Sequence, residues 1–283
     1  MNKKNIKITN DTYYWPLWFS KSLNRFEQNK IKVIIKKIQT AQLCIWEALN
    51  IYDDFFDGAG EISRLPQANV YLRQYLEIHY DLNLNKDYYK LLQITFDKLD
   101  RVNQAEISSK KLEIKNGLVI LPKNISPNVD LKNLPNKSLV LALGSIAILS
   151  YLGYKIKDKK VKSTINFYKY ALSAKQLADD SHDWLEDLNS GLITLANAPV
   201  LEAARRRGIK LNTKNEPLKA YLLFSEVASP IIIENLLSLC KLAKLEFKKL
   251  NFRKNDILSN KLIKPIELAC NKAVKFRALL VEN

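Results

Sequence analysis

Two five-residue windows, Asp53-Asp54-Phe55-Phe56-Asp57 and Asp179-Asp180-Ser181-His182-Asp183, each spell D-D-x-x-D. On a helix, carboxylates three and four residues apart share a face, and they repel one another unless a cation sits between them. The rest of the chain is basic, with 45 Lys and Arg against 29 Asp and Glu and a formal charge of +16. The acid is therefore local and needs a local reason. Carboxylate oxygens at this spacing suit Mg2+, which takes one or two of them and completes its octahedron with water and phosphate oxygens. Two such faces opposite one another would hold two or three ions, with Mn2+ as a substitute, around one diphosphate. Neutralised in this way, the diphosphate becomes a leaving group and a carbon–oxygen bond can ionise. A cationic side chain should complete the cradle, and an aromatic-lined apolar pocket would stabilise the carbocation.

Other residues follow in an informative order. Lys137-Ser138 opens the apolar helix expected to contain Gly144, and Gln176 stands three residues before Asp179. In this succession the chain resembles the polyprenyl diphosphate synthases, a family of class I isoprenoid synthases. Their D-D-x-x-D, Lys-Ser/Thr and Q-x-x-D-D-x-x-D motifs follow in the same order. The likeness covers roughly residues 40–195. It implies that Asp53, Asp54, Asp57, Asp179, Asp180 and Asp183 are the catalytic, magnesium-binding carboxylates. It further implies that Lys137 and Gln176 face the allylic diphosphate, and that the protein is a homodimer.

The departures concern the second substrate. The family's early G-K-R-x-R-P segment is missing from residues 1–40. Where the family has R-R-G-x-P, this chain has Ser63-Arg64-Leu65-Pro66, leaving Arg64 as the one candidate for diphosphate there. The second cluster continues as Asp183-Trp184-Leu185-Glu186-Asp187 and reaches Gly191. This looks like the D-x-x-E-D-x-x-x-G of squalene and phytoene synthases and adds Asp187 to the metal ligands. No N-D-x-x-S-x-x-x-E is present; Asn255-Asp256 with Ser259 comes near, but Ile263 takes the last position. The implied activity is magnesium-dependent prenyl transfer, in which an allylic prenyl diphosphate is ionised and condensed with isopentenyl diphosphate. The alternative is a terpene synthase or squalene/phytoene synthase-like reaction that does without isopentenyl diphosphate. A non-catalytic diphosphate-binding homologue would use the same aspartates.

Helices must position these groups. With 7 Gly and 9 Pro in 283 residues, turn punctuation is too sparse for a sandwich or barrel. The pattern predicts helices over about 21–56, 66–79, 86–111, 136–154, 160–189, 197–207, 217–227, 230–250 and 255–281. An irregular arm is expected over 1–20 and a flexible loop over 112–136, where Gly117, Pro122, Pro127 and Pro135 fall. The expected fold is all-α: one domain over 1–283, an antiparallel helical bundle of isoprenoid synthase type around a central apolar cavity.

Composition excludes other classes. The lysines are dispersed, and Arg205-Arg206-Arg207 has no interleaved aromatics, so the run reads as a solvated face or an anionic docking spot, not a nucleic-acid interface. The basic charge leaves weak peripheral association with anionic membranes. Cys44, Cys240 and Cys270 are odd in number and apolar in context, as expected of core residues in the reducing cytoplasm. The N-terminus lacks an apolar signal-peptide core. The apolar run Leu139–Tyr154 is too short to span a bilayer and reads as a buried helix. His182 reads as structural and His79 carries no functional signal. Trp46, Tyr52, Phe55, Phe56 and Trp184 read equally as core or as cavity lining. The Asp100, Asn103, Glu106 row reads as an outward polar face.

Overall fold

The structure, a computed structural model, describes residues 11–281 except 57, 59, 109, 110, 252 and 253. The fold is all-α with a single two-stranded hairpin among the described residues. Its helices gather into two compact units interleaved along the sequence: Met1–Asp97, Leu139–Asn166 and Glu246–Leu258 in unit one, and Lys98–Ser138, Phe167–Leu245 and Ser259–Asn283 in unit two.

The expected irregular arm over 1–20 is corrected in its second half; its first ten residues lie outside those described. Asp11–Tyr14 forms a 3-10 turn leading into α1 (Trp15–Lys21). Pro16 fits the first turn, where its missing N–H goes unneeded, and Trp15 and Phe19 are buried. The single helix expected over 21–56 is split. Asn24 and Glu27 form a reciprocal capping box that starts α2 (Arg25–Ile31) afresh. After a turn, α3 (Ile35–Phe56) buries Ile38, Ala41, Ile45, Ala48 and Ile51, a helical stripe.

α4 (Leu65–Asp81) returns antiparallel to α3. Cys44 Sγ contacts Gln74 Oε1 at 3.6 Å, and Tyr52 donates to Asn69 Oδ1 at 2.7 Å. The pairing partner falls as the residue number rises. α5 (Lys86–Ile107) is capped by the Asn85 side chain, which accepts from Tyr88 N–H. Between α4 and α5 lies a buried aromatic knot: His79 tilts against Tyr75 at 4.2 Å and stacks on Tyr88 at 5.8 Å. α6 (Leu143–Tyr151) is buried from Leu143 to Ser150, as expected of a central helix. Gln42 Nε2 reaches from α3 to the Leu141 carbonyl at 3.0 Å. A second polar knot is buried in this unit. Lys160 Nζ lies 2.6 Å from Glu27 Oε1, which also accepts from Tyr154 OH at 2.7 Å.

In unit two the expected loop over 112–136 is corrected. Residues 113–120 form a hairpin of β1 (Glu113–Lys115) and β2 (Leu118–Ile120), with Ile114 opposite Val119. Asn116 and Gly117 both take positive φ, as a two-residue hairpin turn requires. The segment is pinned by backbone bonds from Leu112 N–H to Gly191 O, Val119 N–H to Leu211 O and Asn128 N–H to Ile193 O.

α7 (Lys159–His182) and α8 (Trp184–Asn189) replace the one helix expected over 160–189, with the break at Asp183. α9 (Ala198–Arg206) and α10 (Pro217–Leu223) follow. A π turn over Phe224–Ala228 then joins α10 directly to α11 (Ser229–Leu250). The combined run Pro217–Leu250 is long and apolar enough to cross a membrane by length and composition, a test that core helices also pass. α12 (Ile257–Val281) runs antiparallel to α11, with Lys244 on Glu267 and Cys240 beside Cys270. All three cysteines are buried and unbridged.

Candidate active site

The first aspartate cluster belongs to unit one. Asp53 and Asp54 occupy the last turn of α3 and are exposed; Asp57 lies outside the described residues. Carboxylates at a helix C-terminus oppose the macrodipole, so they gain nothing from the helix itself. The turn is held by its backbone. The Gly60 amide donates to the Asp54 carbonyl at 2.7 Å, and the Gly58 amide to the Phe55 carbonyl at 3.2 Å. A Cβ at Gly60 would sit 2.6 Å from the Phe55 backbone nitrogen, so only glycine permits this close wrap. Arg64, expected to face diphosphate, bonds Asp54: Nη1 is 3.2 Å from Oδ2, with both side chains half exposed. In water such a pair contributes only ~0–1 kcal/mol, weak enough for either partner to exchange it for a ligand. Tyr52 stacks on Phe56 at 6.2 Å, and Phe55 meets Phe56 edge-on.

The second cluster belongs to unit two. Asp179 and Asp180 stand on the last turn of α7, Asp183 at its break and Asp187 on α8. The break does not disperse them. Asp183 N–H bonds Asp179 O at 3.1 Å and Asp187 N–H bonds Asp183 O at 2.9 Å, so Asp179, Asp183 and Asp187 remain one turn apart. α8 is held from beneath. Trp184 stacks on Phe224 at 4.4 Å, and the buried Asn197 side chain donates to the Trp184 and Leu192 carbonyls.

Around Asp180 the sequence-distant candidates meet. Gln176 Nε2 donates to Asp180 Oδ1 at 3.1 Å. Lys137 lies close enough to act on Asp180 through its charge, and its Nζ is 2.8 Å from Glu106 Oε1. Lys137 does not open the apolar helix as expected. It ends a 3-10 turn, Leu134–Lys137, and α6 starts six residues later. Glu106, expected on an outward polar face, is the residue the sequence reading missed. Its only signal is its place at the end of the Asp100, Asn103 row.

Burial pushes the Asp180 carboxyl above its ordinary value, against the lowering pull of Gln176 and Lys137; Glu106 and Asp179 push it further up. Asp179 is likewise raised, first by desolvation and then by Asp183, against Lys175 and His182. Lys175 lies 3.7 Å from Asp179 one turn earlier. Carboxylates raised by desolvation and by one another gain from an added cation, and an all-oxygen donor set fits Mg2+. Among the described residues no three His, Cys, Asp or Glu side chains form a ready-made cage. Mg2+ does not demand one, because water and phosphate oxygens fill most of its positions.

Other candidate features are already engaged. Arg207 makes a two-pronged pair with Glu226 at 2.7 and 2.8 Å, and Arg205 bonds Glu202 and the Lys123 carbonyl. An open groove of about 520 Å³ in unit one includes Lys37, Asp81, Asn83 and Ser150 in its lining, and no predicted site residue. Compared with models of known protein families and with curated proteins, the chain matches none.

Proposed function

We propose that this protein is a magnesium-dependent prenyltransferase that ionises an allylic prenyl diphosphate and condenses the resulting carbocation with isopentenyl diphosphate, on an isoprenoid synthase-type bundle. The observation that carries the reading is the Gln176–Asp180 hydrogen bond in unit two, with Lys137 near enough for its charge to act on the same carboxylate. Three residues named by two separated motifs share one electrostatic neighbourhood. In this reading Asp179, Asp180, Asp183 and Asp187 in unit two, and Asp53, Asp54 and Asp57 in unit one, would hold Mg2+. The bound ions supply neutralisation of the leaving diphosphate. Gln176 orients the Asp180 carboxylate by its hydrogen bond. Lys137 and Arg64 each hold an acidic partner that a diphosphate can replace, so both are cations placed for a phosphate oxygen.

A second reading, allylic diphosphate chemistry without isopentenyl diphosphate, is favoured by Arg64. It is the one arginine in its segment, where the polyprenyl diphosphate synthases carry two. One assay separates the two. Purified protein with Mg2+ receives labelled geranyl, farnesyl or geranylgeranyl diphosphate, with and without isopentenyl diphosphate. Longer diphosphates formed only with isopentenyl diphosphate are expected. Hydrocarbon or alcohol products from the allylic substrate alone would transfer the assignment to the second reading. Consumption of no substrate, with Mg2+-dependent binding retained, would identify a binding homologue. Asp54→Ala and Asp180→Ala should each abolish turnover, and activity surviving in both would overturn the metal-clamp reading.

A further inference from the structure

α11 as far as Leu245 and α12 from Ser259 belong to unit two and lie antiparallel, with Lys244 on Glu267 between them. A core helix is mostly buried, yet an 18-residue stretch of the run Pro217–Leu250, at mean hydropathy 1.5, is only 28% buried. Ile231, Leu242 and Leu245 are exposed and share one face of α11, with the exposed Lys241 beside them. On α12 the exposed Lys261, Lys264, Leu268, Lys272 and Lys275 follow at intervals of three and four residues and form one stripe. The acids of these two stretches of helix are Glu234 and Glu267, and Lys244 engages the second. The outer face of the pair is therefore aliphatic and basic at once, and an exposed apolar surface of this kind calls for a partner.

We propose that the outer face of α11 and α12 in unit two docks on an anionic lipid bilayer. Ile231, Leu242, Leu245 and Leu268 enter the boundary between headgroups and acyl chains. The lysines extend their apolar stems along that boundary and set their ammonium groups among the anionic headgroups. Charge complementarity selects this occupant. An isologous second copy would bring the same lysines against themselves. Nucleic acid would match the lysines but leave the leucines in water. An acidic protein would have to match the lysine spacing, whereas fluid lipid headgroups rearrange to meet it. Docking requires neither Mg2+ nor a prenyl substrate, so it stands apart from the activity proposed above.

The test mixes the full chain with vesicles of phosphatidylcholine alone, or containing about one third phosphatidylserine, and reads the bound fraction by co-sedimentation. Wild type should pellet with the anionic vesicles alone, and about 0.5 M NaCl should release most of it. Three variants are compared, each checked for an unchanged thermal melt. Lys264→Gln/Lys272→Gln should weaken binding roughly thirtyfold, about fivefold for each lysine at the surface. Leu242→Ser/Leu268→Ser should weaken it about tenfold or more, the scale of one leucine leaving an apolar boundary. Lys86→Gln/Lys90→Gln removes the same charge from exposed positions on α5 in unit one and should bind like wild type. Equal loss in that variant would overturn the proposal, because net charge alone would then account for binding. Binding to neutral vesicles as tight as to anionic ones would overturn it as well. Association with neither vesicle would overturn it too and leave the face to a protein: a second copy if light scattering finds a dimer that Leu242→Ser/Leu268→Ser dissociates, an acidic partner otherwise.

Discussion

Replacing Glu27 by Gln should remove about 3 kcal/mol of stability, the lower end of the roughly 3–5 kcal/mol lost when one partner of a buried ion pair is deleted. The lower end follows from what the amide preserves. The single amide oxygen of Gln can still accept from the Asn24 N–H and keep the capping box, while its NH2 can donate to a Tyr154 hydroxyl turned to accept. What it cannot do is neutralise Lys160, whose side chain is 8% exposed and whose Nζ is 2.6 Å from the carboxylate. In urea, with a slope of about 3 kcal/mol/M for a chain this long, the midpoint should fall by about 1 M at unchanged slope. Lys160→Met should lose a similar amount. The double variant Glu27→Gln/Lys160→Met should recover most of both losses, because no bare charge remains in the core. Single losses below about 1 kcal/mol, or losses that simply add in the double variant, would refute the reasoning. The pH dependence has a definite sign. Burial alone would raise the Glu27 carboxyl, but the bonds from Lys160, Tyr154 and the Asn24 amide outweigh it and leave it lowered. Its contribution is therefore complete above the ordinary carboxylate range and is lost as pH falls through the depressed folded value. Glu27→Gln should lack that acid limb.

Two further outcomes follow from named contacts. Gly60→Ala places a methyl against the Phe55 backbone, with 2.6 Å to its nitrogen, and should cost about 1–3 kcal/mol; a Tm within about 1 °C of wild type would contradict the wrap. Burial lowers His79 from 6.5 to about 4, against the raising effect of its bond to the Tyr75 carbonyl, so the folded imidazole is neutral. The unfolded chain takes the proton first. Stability should thus be full above about pH 6.5 and decline by about 3 kcal/mol as pH falls towards 4, and His79→Phe should lose that decline in urea titrations.

The sequence was legible where periodicity and scarcity of breakers govern. The all-α class and the buried helix after Leu139 follow from apolar spacing. The hairpin escaped although Asn116-Gly117 is its signature, because prolines and asparagines downstream dominated the reading of 112–136. The helix break before Arg25 was also readable, in the Asn24…Glu27 capping box. Glu106 was not. A glutamate on an amphipathic helix is solvated by default, and only the tertiary approach of the 134–137 turn makes it a partner of Lys137. The pairing of Arg64 with Asp54 is likewise not legible in the sequence, because it depends on the wrap of the chain at Gly60.

The π turn at Phe224–Ala228 sets the rotational phase of everything after it in the run to Leu250. A π turn holds one residue more than the α-helix around it needs, the usual trace of a single inserted residue. Remove that residue and the helix becomes regular, but the part beyond it rotates by about 100°. Ile232, Leu236, Leu239 and Cys240 would then swing out of the core stripe they now form. The same turn presents Phe224 to Trp184, inside the second aspartate segment. Length variation here would be transmitted to the carboxylates.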